Sequence, residues 1–126
     1  MRRLIVIFLF MTVAFVLMAG CGSIAEQERG GGVSNTSPIA VDDNFTVAYS
    51  TPTDINITAN DSDSDGTINS MLFVTQPSHG TVIFITIDTI RYTPDANFSG
   101  TDSFTYKVID NDGAISNVAT VYLLVQ

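Results

Sequence analysis

From residue 38 onward, apolar and polar side chains alternate in short runs broken by turn residues. Phe45, Val47 and Tyr49 alternate with polar neighbours, and Ile55, Ile57 and Ala59 do the same within residues 54–60. Similar runs occupy residues 68–74, 81–85 and 89–93; Phe104, Tyr106 and Val108 alternate again, and the last run covers residues 118–125. A period of two sends successive side chains to opposite faces of an extended chain, the mark of a strand buried on one side. Pro52, Gly66, Pro77, Gly80, Pro94, Gly100 and Gly113 fall between the runs, where turns need them. No stretch holds helical spacing over three turns. The pattern predicts an all-β domain over residues 38–126, a seven-stranded antiparallel sandwich.

The first residues follow a different rule. Arg2 and Arg3 precede an apolar run over residues 4–19 that only Thr12 interrupts. A positive start, an apolar stretch and small residues before a cleavage point describe a secretory signal peptide over residues 1–20. The run is shorter than the roughly 20 residues that span a bilayer as a helix, and no basic cluster follows it. It ends Leu17, Met18, Ala19, Gly20, Cys21, which resembles the lipobox of bacterial lipoproteins, with Met18 where leucine is commonest. The resemblance implies that Cys21 carries a diacylglycerol and becomes the mature N-terminus. Stable attachment needs more than one acyl chain, each buried CH₂ adding roughly 0.8 kcal/mol. Gly22 after the cysteine resembles the pattern of outer-membrane sorting. Cys21 is the single cysteine, so no disulfide can staple the fold. Residues 21–37 contain Gly30, Gly31, Gly32, Ser34, Asn35 and Ser37 and read as a lipidated cysteine followed by a flexible tether.

Several segments of the domain carry a second resemblance. Pro38 to Asp43 and the stretch Ala59, Asn60, Asp61, Ser62, Asp63, Ser64, Asp65, Gly66 open it. Pro77, Ser78, His79, Gly80, the run from Tyr92 through Phe98 and Gly100 to Tyr106, and Ser116 to Val121 continue it in order. Together they resemble the cadherin-like, immunoglobulin-like tandem repeats of large bacterial surface and adhesin proteins. The resemblance implies an immunoglobulin-like Greek-key sandwich and a role in cell adhesion. Such modules usually come in arrays; here there is one.

Charge sharpens the picture. Thirteen acidic residues face five basic ones, for a net charge of −8. Beyond residue 20 the basic residues are Arg29, Arg91 and Lys107 alone, so the surface repels phosphate and excludes nucleic acid as a partner. Asp61, Asp63 and Asp65 alternate before Gly66, a spacing of hard oxygen ligands that suits Ca²⁺. The D-x-D-x-D-G match fails at its last ligand, where Leu72 stands, so other residues must complete any site. In a sandwich of this order the loops after the second, fourth and sixth strands share one end with the start of the first. That gathers Asp42, Asp43, Asp61, Asp63, Asp65, Asp88, Asp110 and Asp112 at the pole facing the tether. The seven other than Asp88 are the candidate calcium ligands. The competing reading gives these residues to turns and solubility.

Catalysis finds little support. His79 is the single histidine and sits in a turn, Ser78 lacks a base of suitable character, and Asp95 and Asp102 read as turn and strand-start residues. Phe45, Phe73, Phe84, Tyr92, Phe98, Phe104 and Tyr106 read as core, with Phe98 plugging one end and the Tyr106 hydroxyl returning to nearby backbone. The expectation is a non-enzymatic, lipid-anchored surface module of the cell envelope or outer membrane, adhesion-type and calcium-binding. Its partners are the membrane, through the lipid, and a protein or glycan. A carbohydrate- or polymer-binding module, or an accessory docking onto a larger repeat adhesin by edge-strand pairing, are the alternatives.

Overall fold

The structure, a computed structural model, describes residues 34–126. The signal peptide, Cys21 and most of the tether lie outside the described residues. One compact unit, Val33–Gln126, draws its core from its own strands, the condition for folding alone. The segment expected as tether overlaps it: Asn35 and Thr36 already hydrogen-bond to Asp110 and Asp65.

Seven strands form: β1 (Asp43–Val47), β2 (Thr53–Asn56), β3 (Ile68–Thr75), β4 (Gly80–Phe84), β5 (Thr89–Pro94), β6 (Gly100–Asp110) and β7 (Ala119–Val125). Alternation sets the faces. In β6, Asp102, Phe104, Tyr106, Val108 and Asp110 point inward; in β7, Ala119, Val121, Leu123 and Val125 do. These meet Ile55 and Ile57, and Ile90 and Tyr92 of β5, from the opposite layer. Each aliphatic side chain fully buried this way contributes roughly 1.5–3 kcal/mol.

The layers are a four-stranded sheet, β1-β7-β6-β3, and a three-stranded sheet, β2-β5-β4. Only β4–β5 and β6–β7 connect neighbours within a sheet; every other connection crosses between layers, the wiring of an immunoglobulin-like sandwich. One pairing departs from the antiparallel expectation: β1 runs parallel to β7, from Asp43 opposite Val121 to Val47 opposite Val125. In a chain of seven alternating strands the first and last point the same way, so laying them side by side makes a parallel pair.

Three local expectations change. Strand β2 stops at Asn56, yet Ile57 beyond it is fully buried. Tyr49 lies past the end of β1 and is exposed. Phe84 is half exposed rather than core, stacked flat on Phe73 at 4.1 Å, while Phe73 meets Phe104 edge-on at 5.7 Å. These two aromatics close the rim between β3 and β4.

Candidate functional site

The acidic loops do converge. Asn111 N–H donates to the Thr67 carbonyl and Ile57 N–H to the Asp88 carbonyl, tying the β2–β3, β4–β5 and β6–β7 loops into one pole. The segment before β1 joins them: Ile39 bridges to Ser62, and the Asn117 side-chain amide makes a two-point contact with Ala40, donating to its carbonyl at 2.8 Å and accepting its N–H at 3.0 Å. All the predicted aspartates sit here, but most of their oxygens already hold protein donors.

Asp42 accepts the Thr120 N–H at 2.7 Å, Asp61 the Val41 N–H at 2.8 Å and Asp65 the Thr36 N–H at 2.9 Å. Asp110 takes the Asn35 amide on one oxygen and the Asp112 and Ala114 N–H groups on the other. Burial acts to raise its pKa, but these donors outweigh it and hold the carboxyl below the usual range. Asp112 accepts from Asn111, and Asp88 from the Thr86 and Thr89 hydroxyls. Among the described residues no three Asp, Glu, His or Cys side chains are grouped to hold a metal ion. The one buried side-chain oxygen without a donor among them is Oδ2 of Asp63. A Cβ on Gly66 would lie 2.6 Å from that oxygen and 2.5 Å from Asn111 Oδ1. Gly66 is therefore required by the approach of two oxygens, not by a left-handed turn, since its φ is not positive.

The centre of this pole is Tyr106. Its hydroxyl lies 2.7 Å from the Ile57 carbonyl, 3.3 Å from the Val41 carbonyl, 3.1 Å from Asp43 Oδ2 and 3.0 Å from Asp61 Oδ2. One proton faces acceptors on four residues. Burial, with Asp61 and Asp42 adding negative charge, pushes the Asp43 carboxyl up to about 6 against the hydrogen bonds from Tyr106 and Asn60. Burial also raises Asp61, opposed by the Val41 N–H and Tyr106, and drives the Tyr106 phenol upward, so it stays a donor. The hydroxyl's partners are 45 to 65 residues distant, not the nearby backbone expected for it. Nothing local in sequence signals this; only the topology brings Asp43 and Asp61 to it.

The opposite pole repeats the pairing with the balance reversed. Asp102, 7% exposed, accepts the Ser78, His79 and Ser103 N–H groups and the Tyr92 hydroxyl, each at 2.9 Å. Burial acts to raise Asp102, the four donors prevail, and its carboxyl lies below the usual range. His79 stacks on Phe98 at 4.3 Å with its Nδ1 3.9 Å from Asp102, so it serves the turn, and Phe98 packs against the core as expected. Gly80 leaves room for the Tyr92 ring and the Thr93 carbonyl, each 2.6 Å from where its Cβ would stand.

Between the poles, an open groove of about 360 Å³ runs over β1, β7 and the start of β6, lined by Asn44, Thr46, Thr101, Tyr122 and Leu124 among others. Tyr122 is 48% exposed there. Its ring stands on the outward face of β7, alternating with the core-facing Val121 and Leu123.

Two immunoglobulin-like layers thus close over two buried Tyr–Asp pairs, Tyr92 with Asp102 and Tyr106 with Asp43. The chain belongs to the bacterial Ig domain family, whose model matches residues 35–123. That membership places it among extracellular modules of adhesion or structural type, typical of the cell surface, in a non-enzymatic family. Among curated proteins, Protein GAMETE EXPRESSED 2 of Arabidopsis thaliana is 46% identical over 56 residues, 44% of this chain; the match spans 6% of that much longer protein. Among solved structures, a 2,6-sialyltransferase of Photobacterium sp., in complex with CMP and lactose, aligns with a TM-score of 0.48 at 15% identity, over 69% of this chain and 18% of that one.

Proposed function

We propose that this protein is a lipid-anchored interaction module of the bacterial envelope, held by Cys21 and standing on its acidic pole. The supporting observation is where the chain enters. Asn35 and Thr36 lie on Asp110 and Asp65, so a tether from Cys21 reaches the domain at that pole. The His79 and Asp102 pole and the sheet faces are then left for partners. Metabolic labelling with palmitate tests the anchor: the wild-type chain incorporates label and C21S does not. An unlabelled wild-type chain overturns it.

Calcium fits one place. Asp63 Oδ2, buried without a donor, offers a hard oxygen to a cation. Asn111 Oδ1 beside it already accepts the Thr67 N–H at 2.7 Å and can add only its second lone pair, and exposed Asp65 is adjacent. Asp42, Asp43, Asp61 and Asp110 already satisfy the fold, so binding there is weak and stabilises modestly. Thermal melting of the unit at millimolar Ca²⁺ is expected to show a raised midpoint that D63N abolishes; an unmoved midpoint removes calcium from the proposal.

The groove beside Tyr122 favours a second reading, polymer binding, because an exposed ring flanked by Asn44, Thr46 and Thr101 offers both a stacking face and hydrogen bonds. A glycan array with the wild-type unit and Y122A distinguishes it from a purely protein-binding module.

A further inference from the structure

The sandwich has four edges, and three of them carry a device against pairing with another chain. Strand β1 is overlaid at its start by the β2–β3 loop, through the Ile39–Ser62 bridge and the Asn60 amide on the Val41 and Asp42 carbonyls. Strand β2 has four residues, follows Pro52 and bears the charged Asp54. Strand β3 has register shifts between Ile68 and Ser70 and between Phe73 and Thr75, which bend its edge. Strand β4 has none of these: its register against β5 is unbroken from Gly80 to Phe84, it holds no proline or charge, and Ile83 is 55% exposed. Such an edge is a template for strand addition.

The chemistry around it selects the partner. Residues 66–87 contain no Asp, Glu, Lys or Arg, in a chain of net charge −8. That run supplies both edges on this side, with Val74, Ile83, Phe84, Ile85 and Ile87 exposed along it. The nearest charge on the same face, Arg91 opposite Ile83, is neutralised by Asp54 through contacts of 2.6 and 2.8 Å. Of the other exposed aliphatic side chains, Ile39, Val41, Ile115 and Val118 stand beside the acidic pole, and Leu124 stands on the outward face of β7. Two copies of so acidic a protein repel each other on approach by that pole; on the β4 flank they do not.

We propose that a second copy of this chain pairs with it here, β4 against β4 in antiparallel register about a two-fold axis. The backbone sets the phase. Ile85 N–H donates to the Thr89 carbonyl, toward β5, so by alternation Ile83 and Thr81 also face β5, while Val82 and Phe84 present their N–H and C=O groups outward. Pro94 fits this phase, since its missing N–H falls opposite Gly80, in a pair that needs no hydrogen bond. Placing Val82 opposite the partner's Phe84 pairs the outward N–H and C=O of both residues on each strand; those of Gly80, at the start of β4, stay outside the paired segment. This placement sets Ile83 against its own copy, and Thr81 against the partner's Ile85. The pairing goes beyond the envelope-anchor reading and does not depend on Cys21.

Sedimentation equilibrium of the Val33–Gln126 unit over about 1 µM to 1 mM, the span of weak to moderate association, is expected to show a monomer–dimer equilibrium. Opposed like charges on the axis cost several kcal/mol, so I83K/I85K weakens the dimer by about 100-fold or more without lowering the melting midpoint measured at dilute, monomeric concentration, both sites being exposed. In the same unit, I83C forms a disulfide with its own copy under mild oxidation, because facing residues of a non-hydrogen-bonded pair lie about 4.5 Å apart at Cα. D54C, on the opposite edge, does not. A wild-type unit that stays monomeric throughout, its edge open to some other strand of the envelope, overturns the proposal. So does a dimer indifferent to I83K/I85K, or equal cross-linking of I83C and D54C.

Discussion

The two poles of the sandwich use the same pair of residue types, a buried tyrosine and aspartate, to opposite electrostatic ends. At the His79 pole one carboxylate, Asp102, collects four donors and is held ionised. At the entry pole one donor, Tyr106, is shared by two carboxylates and two carbonyls, and Asp43 rises to about 6. Burial alone does not decide the protonation state of a carboxyl. The local count of donors against acceptors does.

Breaking the donor-rich pole has the largest expected effect. D102A strands three backbone N–H groups and the Tyr92 hydroxyl in a buried turn, and is expected to lower unfolding free energy by about 4 kcal/mol, measured by urea denaturation. Y106F removes the one hydroxyl proton that the Ile57 and Val41 carbonyls share with Asp43 and Asp61, at a cost of about 3 kcal/mol, and moves Asp43 further up by NMR titration.

The comparison sharpens with pH. Asp43 is raised from 3.8 unfolded to about 6 folded, so the native state binds more protons between those values. Its contribution is fully present below pH 3.8 and is lost as pH rises through about 6. Asp61 is shifted the same way, whereas Asp102 and Asp110 are depressed and their contributions disappear as pH falls below the ordinary carboxylate range. Stability is therefore expected to be greatest near pH 4–5 and about 2 kcal/mol lower at pH 8, with D43N flattening the basic side of the profile. A profile flat from pH 5 to 8 in the wild type would contradict the raised Asp43. The smallest effect is expected from Y92F, about 1 kcal/mol, because Asp102 keeps its three backbone donors.

Much of this was legible in the order of residues. Seven runs became seven strands because each buries alternate side chains, and the gathering of acidic loops at one end follows from strand count alone. What was hidden depends on contacts far apart in the chain. The aspartates flanking Tyr106 come from other elements, and the turn that Asp102 anchors lies 23 and 24 residues before it. Residues 82–85 of the Thr81–Ile85 run are all apolar, so the pattern could not reveal which of Val82, Ile83 and Phe84 would face water. The spacing of Asp61, Asp63 and Asp65 suggested a cation, but spacing alone does not show that the Val41 and Thr36 N–H groups reach Asp61 and Asp65 from the segment before β1.

The parallel contact between β1 and β7 has a mechanical consequence. The chain enters β1 at the acidic pole and leaves β7 at the other, with five residue pairs registered between them. Tension applied between an anchored start and a partner gripping the far end pulls these strands lengthwise past each other. Their hydrogen bonds are then loaded together in shear rather than peeled one at a time, the geometry of a link that resists being drawn out.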